Sequence, residues 1–178
     1  MHQVFSDGKE FVDMPMKFDP EIIVERWEEQ EGPFSNVTSF VENNFYAAGS
    51  DMVDYIPLDW QEEPSFLSTI QQPDFKIWAF ELNGLWKNLV RKVSPAVIQA
   101  PQRHSYVPRS RPMVVPGGRF RESYYWDSLW IVKGLLVCDM AETANDVVQV
   151  PLTLSLFTIP IPNPHSLTLI VCRTCSMT

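Results

Sequence analysis

Long apolar runs are missing from this chain. No stretch of about 18 residues is free of both Pro and charge, so no membrane span is expected. Cysteine is scarce. Cys138, Cys172 and Cys175 cannot build a disulfide framework. Positive charge is in deficit, with 14 Lys and Arg against 22 Asp and Glu and a net charge of −8. A chain this acidic is a poor candidate for holding nucleic acid through its overall charge. The start, Met1-His2-Gln3, has no basic region followed by an apolar stretch, so no signal peptide is expected there.

What is present points to a folded protein. The chain has 178 residues, the size of one ordinary domain. Apolar residues make up 45% and charged residues 20%, which excludes disorder throughout. Two numbers are high: 15 Pro, and 12% Trp, Tyr and Phe. Many aromatics with an acidic balance suit a protein that binds neutral polar ligands such as sugars. An aromatic-rich core accounts for the same numbers.

The chain has two unlike parts. All 22 acids lie at or before Asp146, and the last 32 residues hold one base, Arg173. Removing Arg173 from the 14 bases leaves 13 against 22 in residues 1–146, a net of −9. Residues 147–178 are rich in Val, Leu, Ile, Thr and Pro. They read as a separate, aberrant apolar tail of poor order, with strand-like runs at 152–161 and 167–171 broken by Pro160, Pro162 and Pro164. The charge break falls inside a segment that reads as a helix.

Before the break, helical periodicity dominates. Asp19-Pro20-Glu21 predicts a helix start, with Ile22, Ile23, Arg26 and Trp27 on one side and Gly32-Pro33 as its end. A second helix is predicted over 35–48, with Phe40, Val41, Asn44 and Phe45 inward. A short third follows Pro64. A fourth is predicted from 73 to 93, carrying Phe75, Trp78, Leu82, Leu85, Trp86 and Leu89 and closed by Ser94-Pro95. Residues 99–118 read as an irregular loop. A fifth helix starts near Tyr125 and carries Trp126, Trp130, Leu135, Leu136 and Met140. No window before the break shows sustained strand alternation, so the expected class is all-α.

The most informative stretch is Pro116-Gly117-Gly118-Arg119-Phe120-Arg121-Glu122-Ser123-Tyr124-Tyr125-Trp126-Asp127. Pro-Gly-Gly makes a turn that lets backbone approach a ligand. Arg119 offers five fixed donors. Tyr and Trp offer flat faces with polar tips. Asp127, in the first turn of a helix, can accept two hydroxyls while the helix dipole stabilises its charge. Arg119, Trp126 and Asp127 are therefore candidate sugar contacts. A Gly-rich lead-in to an aromatic core helix explains the same residues.

This stretch resembles the first signature of the α,α-trehalases, glycoside hydrolase family 37. The residues that carry the resemblance are Pro116-Gly117-Gly118-Arg119-Phe120, then Glu122, Tyr124, Trp126 and Asp127. Asp7-Gly8-Lys9-Glu10-Phe11-Val12-Asp13-Met14-Pro15 is similar to the family's N-terminal segment, and residues 135–143 to the helix after the signature. The similarity runs from about Ser6 to Asn145 and is greatest to animal, especially insect, members. Leu129 stands where the family usually has Tyr.

The resemblance implies an enzyme that hydrolyses trehalose to two glucoses with inversion, using water and no metal or nucleotide cofactor. It implies a toroid of six helix pairs, of which residues 1–146 are an incomplete portion. It assigns substrate contact to Arg119, Trp126 and Asp127. It also implies a secreted or membrane-anchored parent, which favours the sequon at Asn36 (Asn36-Val37-Thr38) as a glycosylation site. The family's acid and base lie in later motifs that this sequence lacks. The tail in their place is expected to be translation past a splice site or a gene-model error. The chain itself is expected to be inactive alone, the alternative being a non-catalytic or weakly sugar-binding product.

Three local substitutes for the missing chemistry fail. Glu122 and Asp127 are five residues apart, do not share a helix face and cannot flank a sugar from opposite sides. His104 reads as a loop residue rather than a base. Cys172-Arg173-Thr174-Cys175 has no second ligand pair, so no metal site is expected there.

Overall fold

The computed structural model of the chain describes residues 5, 7–30 and 36–156, with side chains described as far as 149. In chain order these form α1 (Gly8–Val12), α2 (Pro20–Glu28), α3 (Val37–Asn44) and β1 (Met52–Asp54). A 3-10 turn at Ser65–Thr69 precedes α4 (Pro73–Gly84), α5 (Trp86–Leu89), β2 (Val90–Val93) and α6 (Pro95–Gln99). A second 3-10 turn (Pro101–Arg103), β3 (Met113–Val114), α7 (Tyr125–Val137) and α8 (Ala141–Leu156) follow. The described residues are mostly helical, as the periodicity predicts, with only a small sheet of short strands beside the helices. The described residues form two compact units: those within 1–54 and 91–110, and those within 55–90 and 111–156.

The predicted fourth helix is three elements. Gly84 costs about 1 kcal/mol in a helix interior, so α4 stops there and α5 adds a single turn. Val90 and Val93 then favour extended backbone, and β2 forms where a helical face was expected. Ser94-Pro95 starts a helix instead of closing one: the Ser94 side chain accepts from the Ala96 N–H at 3.1 Å, and Pro95 takes the first helical position. The second predicted helix ends at Asn44, not Ala48. Phe45 is already extended and bridges to Met16.

In the first unit, β1 and β2 pair antiparallel, Met52 opposite Val93 and Asp54 opposite Arg91. Ile23, Val41, Val93, Val97 and Tyr106 are its buried apolar residues. Asn44 is buried too. Its Nδ2 donates to the Phe40 carbonyl at 2.8 Å and its Oδ1 accepts from Arg26 at 3.0 Å. Asp19 has the extended backbone of a helix cap but no capping bond. Its carboxylate accepts from Arg103 Nε at 2.8 Å and from Gln102 at 3.0 Å, and these partners, Arg103 first, hold it below its ordinary value.

In the second unit, α7 and α8 pack on one another. Val90, Val114, Leu135, Met140, Ala144 and Val147 form the core, with Trp86 and Leu89 against it. A Schellman turn ends α7. The Met140 N–H donates to the Leu135 carbonyl at 2.9 Å, the Asp139 N–H to that of Leu136 at 3.3 Å, and Asp139 sits at φ 61°. Leu135 and Met140, the apolar pair of that motif, are both fully buried, so Met140 belongs to the turn and not to the fifth helix. Two carboxylates secure this corner. Asp139 accepts from the Ser65 N–H and hydroxyl, and Asp59 from the Thr143 N–H and hydroxyl, satisfying an open donor of α8.

α8 runs through the charge break to Leu156, so residues 152–156 are helical where a strand-like run was expected. The tail's other expectations, at 157–178, lie outside the described residues, as does the helix end at Gly32-Pro33.

Candidate functional site

The signature forms a loop and a helix start in the second unit. Val115 donates its N–H to the Leu89 carbonyl at 3.0 Å, which anchors the chain before the turn. Gly117 and Gly118 then take φ 109° and 59°, a region that side chains rarely occupy. A Cβ on Gly117 would also stand 3.3 Å from Leu89 Cδ2. The turn closes by reciprocal bonds, Phe120 N–H to the Gly117 carbonyl at 3.1 Å and Gly117 N–H to that of Phe120 at 3.3 Å. Arg119 is at its tip, exposed, with its guanidinium 5.1 Å from the Phe120 ring centre.

Tyr124 links turn to helix. Its ring meets Phe120 edge-on at 5.8 Å, and its hydroxyl donates to Glu122 at 3.1 Å. Its carbonyl accepts from the Ser128 N–H and hydroxyl, which starts α7 without a side-chain cap. Asp127 is half-buried in the first turn of α7, near the positive end of the dipole. Trp126 is 69% exposed and meets Trp130, four residues on, edge-on at 6.2 Å. Lys133 lies 4.8 Å over the Trp130 ring.

Arg119, Trp126 and Asp127 thus come from one continuous segment: an exposed guanidinium, an exposed indole and a carboxylate at a helix start. Such a set can donate to hydroxyls, accept from them and cover an apolar ring face. The turn's glycines were legible in the sequence. The corner bonds of Asp59 and Asp139 were not, because their partners Thr143 and Ser65 are 84 and 74 residues away.

Asn36 is in the first unit, exposed at the start of α3, where its Oδ1 accepts from the Ser39 N–H at 3.2 Å. An open cleft of about 500 Å³ beside it is lined by Arg26, Gln30, Phe40 and Asn43. Its unit is not the one that carries the signature. Among the described residues no three His, Cys, Asp or Glu are grouped to hold a metal ion, and no helix is long and apolar enough to cross a membrane. Cys172 and Cys175 lie outside the described residues.

Comparison with known proteins gives consistent matches. The family profile "Trehalase" matches residues 3–154, past the charge break. A trehalase of Oryctolagus cuniculus is 39% identical over 155 residues, 84% of this chain and 27% of the relative. A trehalase of Pimpla hypochondriaca is 41% identical over 153 residues, 83% of this chain and 26% of the relative. A probable trehalase of Oryza sativa is 46% identical over 112 residues, 62% of this chain and 20% of the relative. The chain therefore spans about a quarter of the length of these curated relatives.

Proposed function

The chain belongs to the trehalase family, and we propose that it forms the sugar-gripping part of a glycosidase that hydrolyses α,α-trehalose to two glucoses with inversion. Arg119 donates to sugar hydroxyls, Asp127 accepts from them, and Trp126 covers an apolar face of the ring. The observation that carries this reading is the double-glycine turn. Its positive φ angles present Arg119 at a tip that leads within seven residues into the helix start bearing Trp126 and Asp127.

Inversion requires an acid and a base roughly 6.5–9.5 Å apart on opposite faces of the sugar, with room for water. Glu122 and Asp127 do not fill those roles, since they follow one another along one loop and helix start, and Glu122 is engaged by Tyr124. The pair belongs to family motifs outside this sequence. The helices α4, α7 and α8 form part of an (α/α)6 toroid completed by further helix pairs. Phe75, Trp78 and Trp130, each more than half exposed, favour that reading, because closing neighbours would cover them. The same exposure favours a second reading for the isolated chain, a non-catalytic product that at most binds sugar weakly. Asn36 is proposed as an N-linked glycosylation site.

The test is glucose release from trehalose. In an active polypeptide that contains this chain, Arg119→Ala lowers kcat/KM about 10- to 150-fold. That range corresponds to a charge-assisted hydrogen bond of about 1.5–3 kcal/mol. An unchanged kcat/KM refutes the assignment. The chain expressed by itself releases no glucose; turnover abolished by Asp127→Asn refutes the division of labour.

A further inference from the structure

A second polar cluster lies wholly within the first unit. Backbone bonds knit four segments there. The Gly49 N–H donates to the Asp13 carbonyl at 3.0 Å, the Ser94 N–H to that of Asp51 at 2.9 Å, and the Met16 N–H to that of Arg103 at 2.8 Å. Two titratable side chains turn into this knot. The Asp51 side chain is 0% exposed and that of His104 8%. His104 Nδ1 stands 3.7 Å from Asp51 Oδ2, within ion-pair range but beyond a hydrogen bond. Neither Asp51 oxygen, nor His104 Nδ1, has a hydrogen-bond partner by distance and angle among the described residues.

Charge counting decides what such a pair does. A buried charge without compensation is strongly destabilising. With one proton between them, the two groups are either carboxylic acid and neutral imidazole, or carboxylate and imidazolium. Both states have zero net charge. With no proton the carboxylate is uncompensated, and with two the imidazolium is. Burial pushes the Asp51 carboxyl up from its ordinary value, and the nearby Asp13 adds to this. The backbone of Asp51 and the His104 ring pull it back.

We propose that Asp51 and His104 hold one proton in common and act as a pH-sensitive clasp between the turn at 49–51 and the segment at 103–104. The surrounding charges leave the pair to set its own balance. Asp13, at the end of α1, is matched by Lys9 Nζ at 2.8 and 3.0 Å. Arg103 is turned to Asp19, and on the strands Arg91 is paired with Asp54 at 2.9 Å. Lys17 lies by the Tyr46 ring.

The sign follows from the raised Asp51. A group whose proton is held more tightly in the folded state contributes stability that is full below its unfolded value and is lost as pH rises through its folded value. The clasp is therefore closed while the pair holds one proton and weakens as pH rises through the step at which that proton leaves, whereas a second proton at lower pH leaves the imidazolium uncompensated. That step belongs to the pair and not to either residue.

The experiment is amide hydrogen exchange on the full 178-residue chain, corrected for intrinsic rates, across the carboxylate and imidazole titration ranges. Protection at the N–H groups of Met16, Gly49 and Ser94 is expected to fall over one protonic step. Asp51→Asn keeps the shape and cannot ionise, so it is expected to abolish the step. His104→Gln leaves the carboxylate alone and is expected to lose protection at neutral pH and regain it on acidification. A flat profile in the wild-type chain overturns the proposal, as does an Asp51→Asn profile that keeps the same step. If either variant unfolds, the His104 ring proton shifts of the wild-type chain decide. A ring that titrates as an exposed imidazole, with no second inflection from Asp51, also overturns it.

Discussion

Gly134→Ala sets two effects of known size against each other. Gly134 lies in the tenth position of the 13-residue α7, where Ala is better than Gly by about 1 kcal/mol on helix propensity alone. Packing opposes that gain. A Cβ at 134 would stand 3.0 Å from Trp86 Cζ2 and 3.3 Å from Trp86 Cη2, closer than ordinary contact. The ring would have to retreat by a few tenths of an ångström, and two contacts hold it. Its Nε1 donates to Cys138 Sγ at 3.2 Å, and it packs against the core that contains Leu135 and Val90. Overpacking of a fixed ring costs about 1–3 kcal/mol, so the upper part of that range applies and the net change is a loss of about 1–2 kcal/mol. For a chain of this size that lowers Tm by roughly 2–8 °C. Thermal unfolding followed by circular dichroism measures it. Adding Trp86→Phe, which lacks the outer indole ring, is expected to remove most of the Gly134→Ala cost, and the cycle isolates the contact. An unchanged or raised Tm in Gly134→Ala, with Trp86 present, refutes the claim that the ring cannot yield.

The α7–α8 corner yields further outcomes. Asp59→Ala leaves the buried Thr143 without its carboxylate, and a lost helix cap costs about 0.5–2 kcal/mol. Its Tm is expected to drop by roughly 1–8 °C at the conversion for this size, and an unchanged Tm refutes the cap. Ser65 holds the Asp139 carboxyl below its ordinary value, chiefly through its backbone N–H. A lowered group contributes stability above its unfolded value and loses it as pH falls through its folded value. Asp139→Asn tolerates the positive φ, so its stability deficit is expected to be present at neutral pH and to shrink on acidification. A pH-independent deficit counts against the ion's role. Asn36→Gln is expected to remove one glycan's mass from chain secreted by animal cells without lowering Tm by more than a cap's contribution, and an unchanged mass refutes the modification.

Local chemistry was readable from the chain alone. Pro20 and Pro73 mark helix starts, the Gly117-Gly118 pair marks a turn with positive φ, and both follow from the residues' own backbone limits. The segment carrying Arg119, Trp126 and Asp127 was legible for the same reason, since turn and helix start are consecutive. Tertiary structure decided what depends on distant partners. Residues 73–93 keep an apolar period of three to four, yet Val90 begins a strand because it packs into the core there. Asp19 looks like a helix cap, yet its carboxylate goes to Arg103 and Gln102, more than 80 residues on, because a charged donor binds a carboxylate more strongly than a backbone N–H does. His104 reads as a loop residue in sequence, and only folding brings it beside Asp51 and removes both from water. Spacing along the chain sets backbone conformation within a few residues, whereas burial and ionic pairing are set by what the fold brings across.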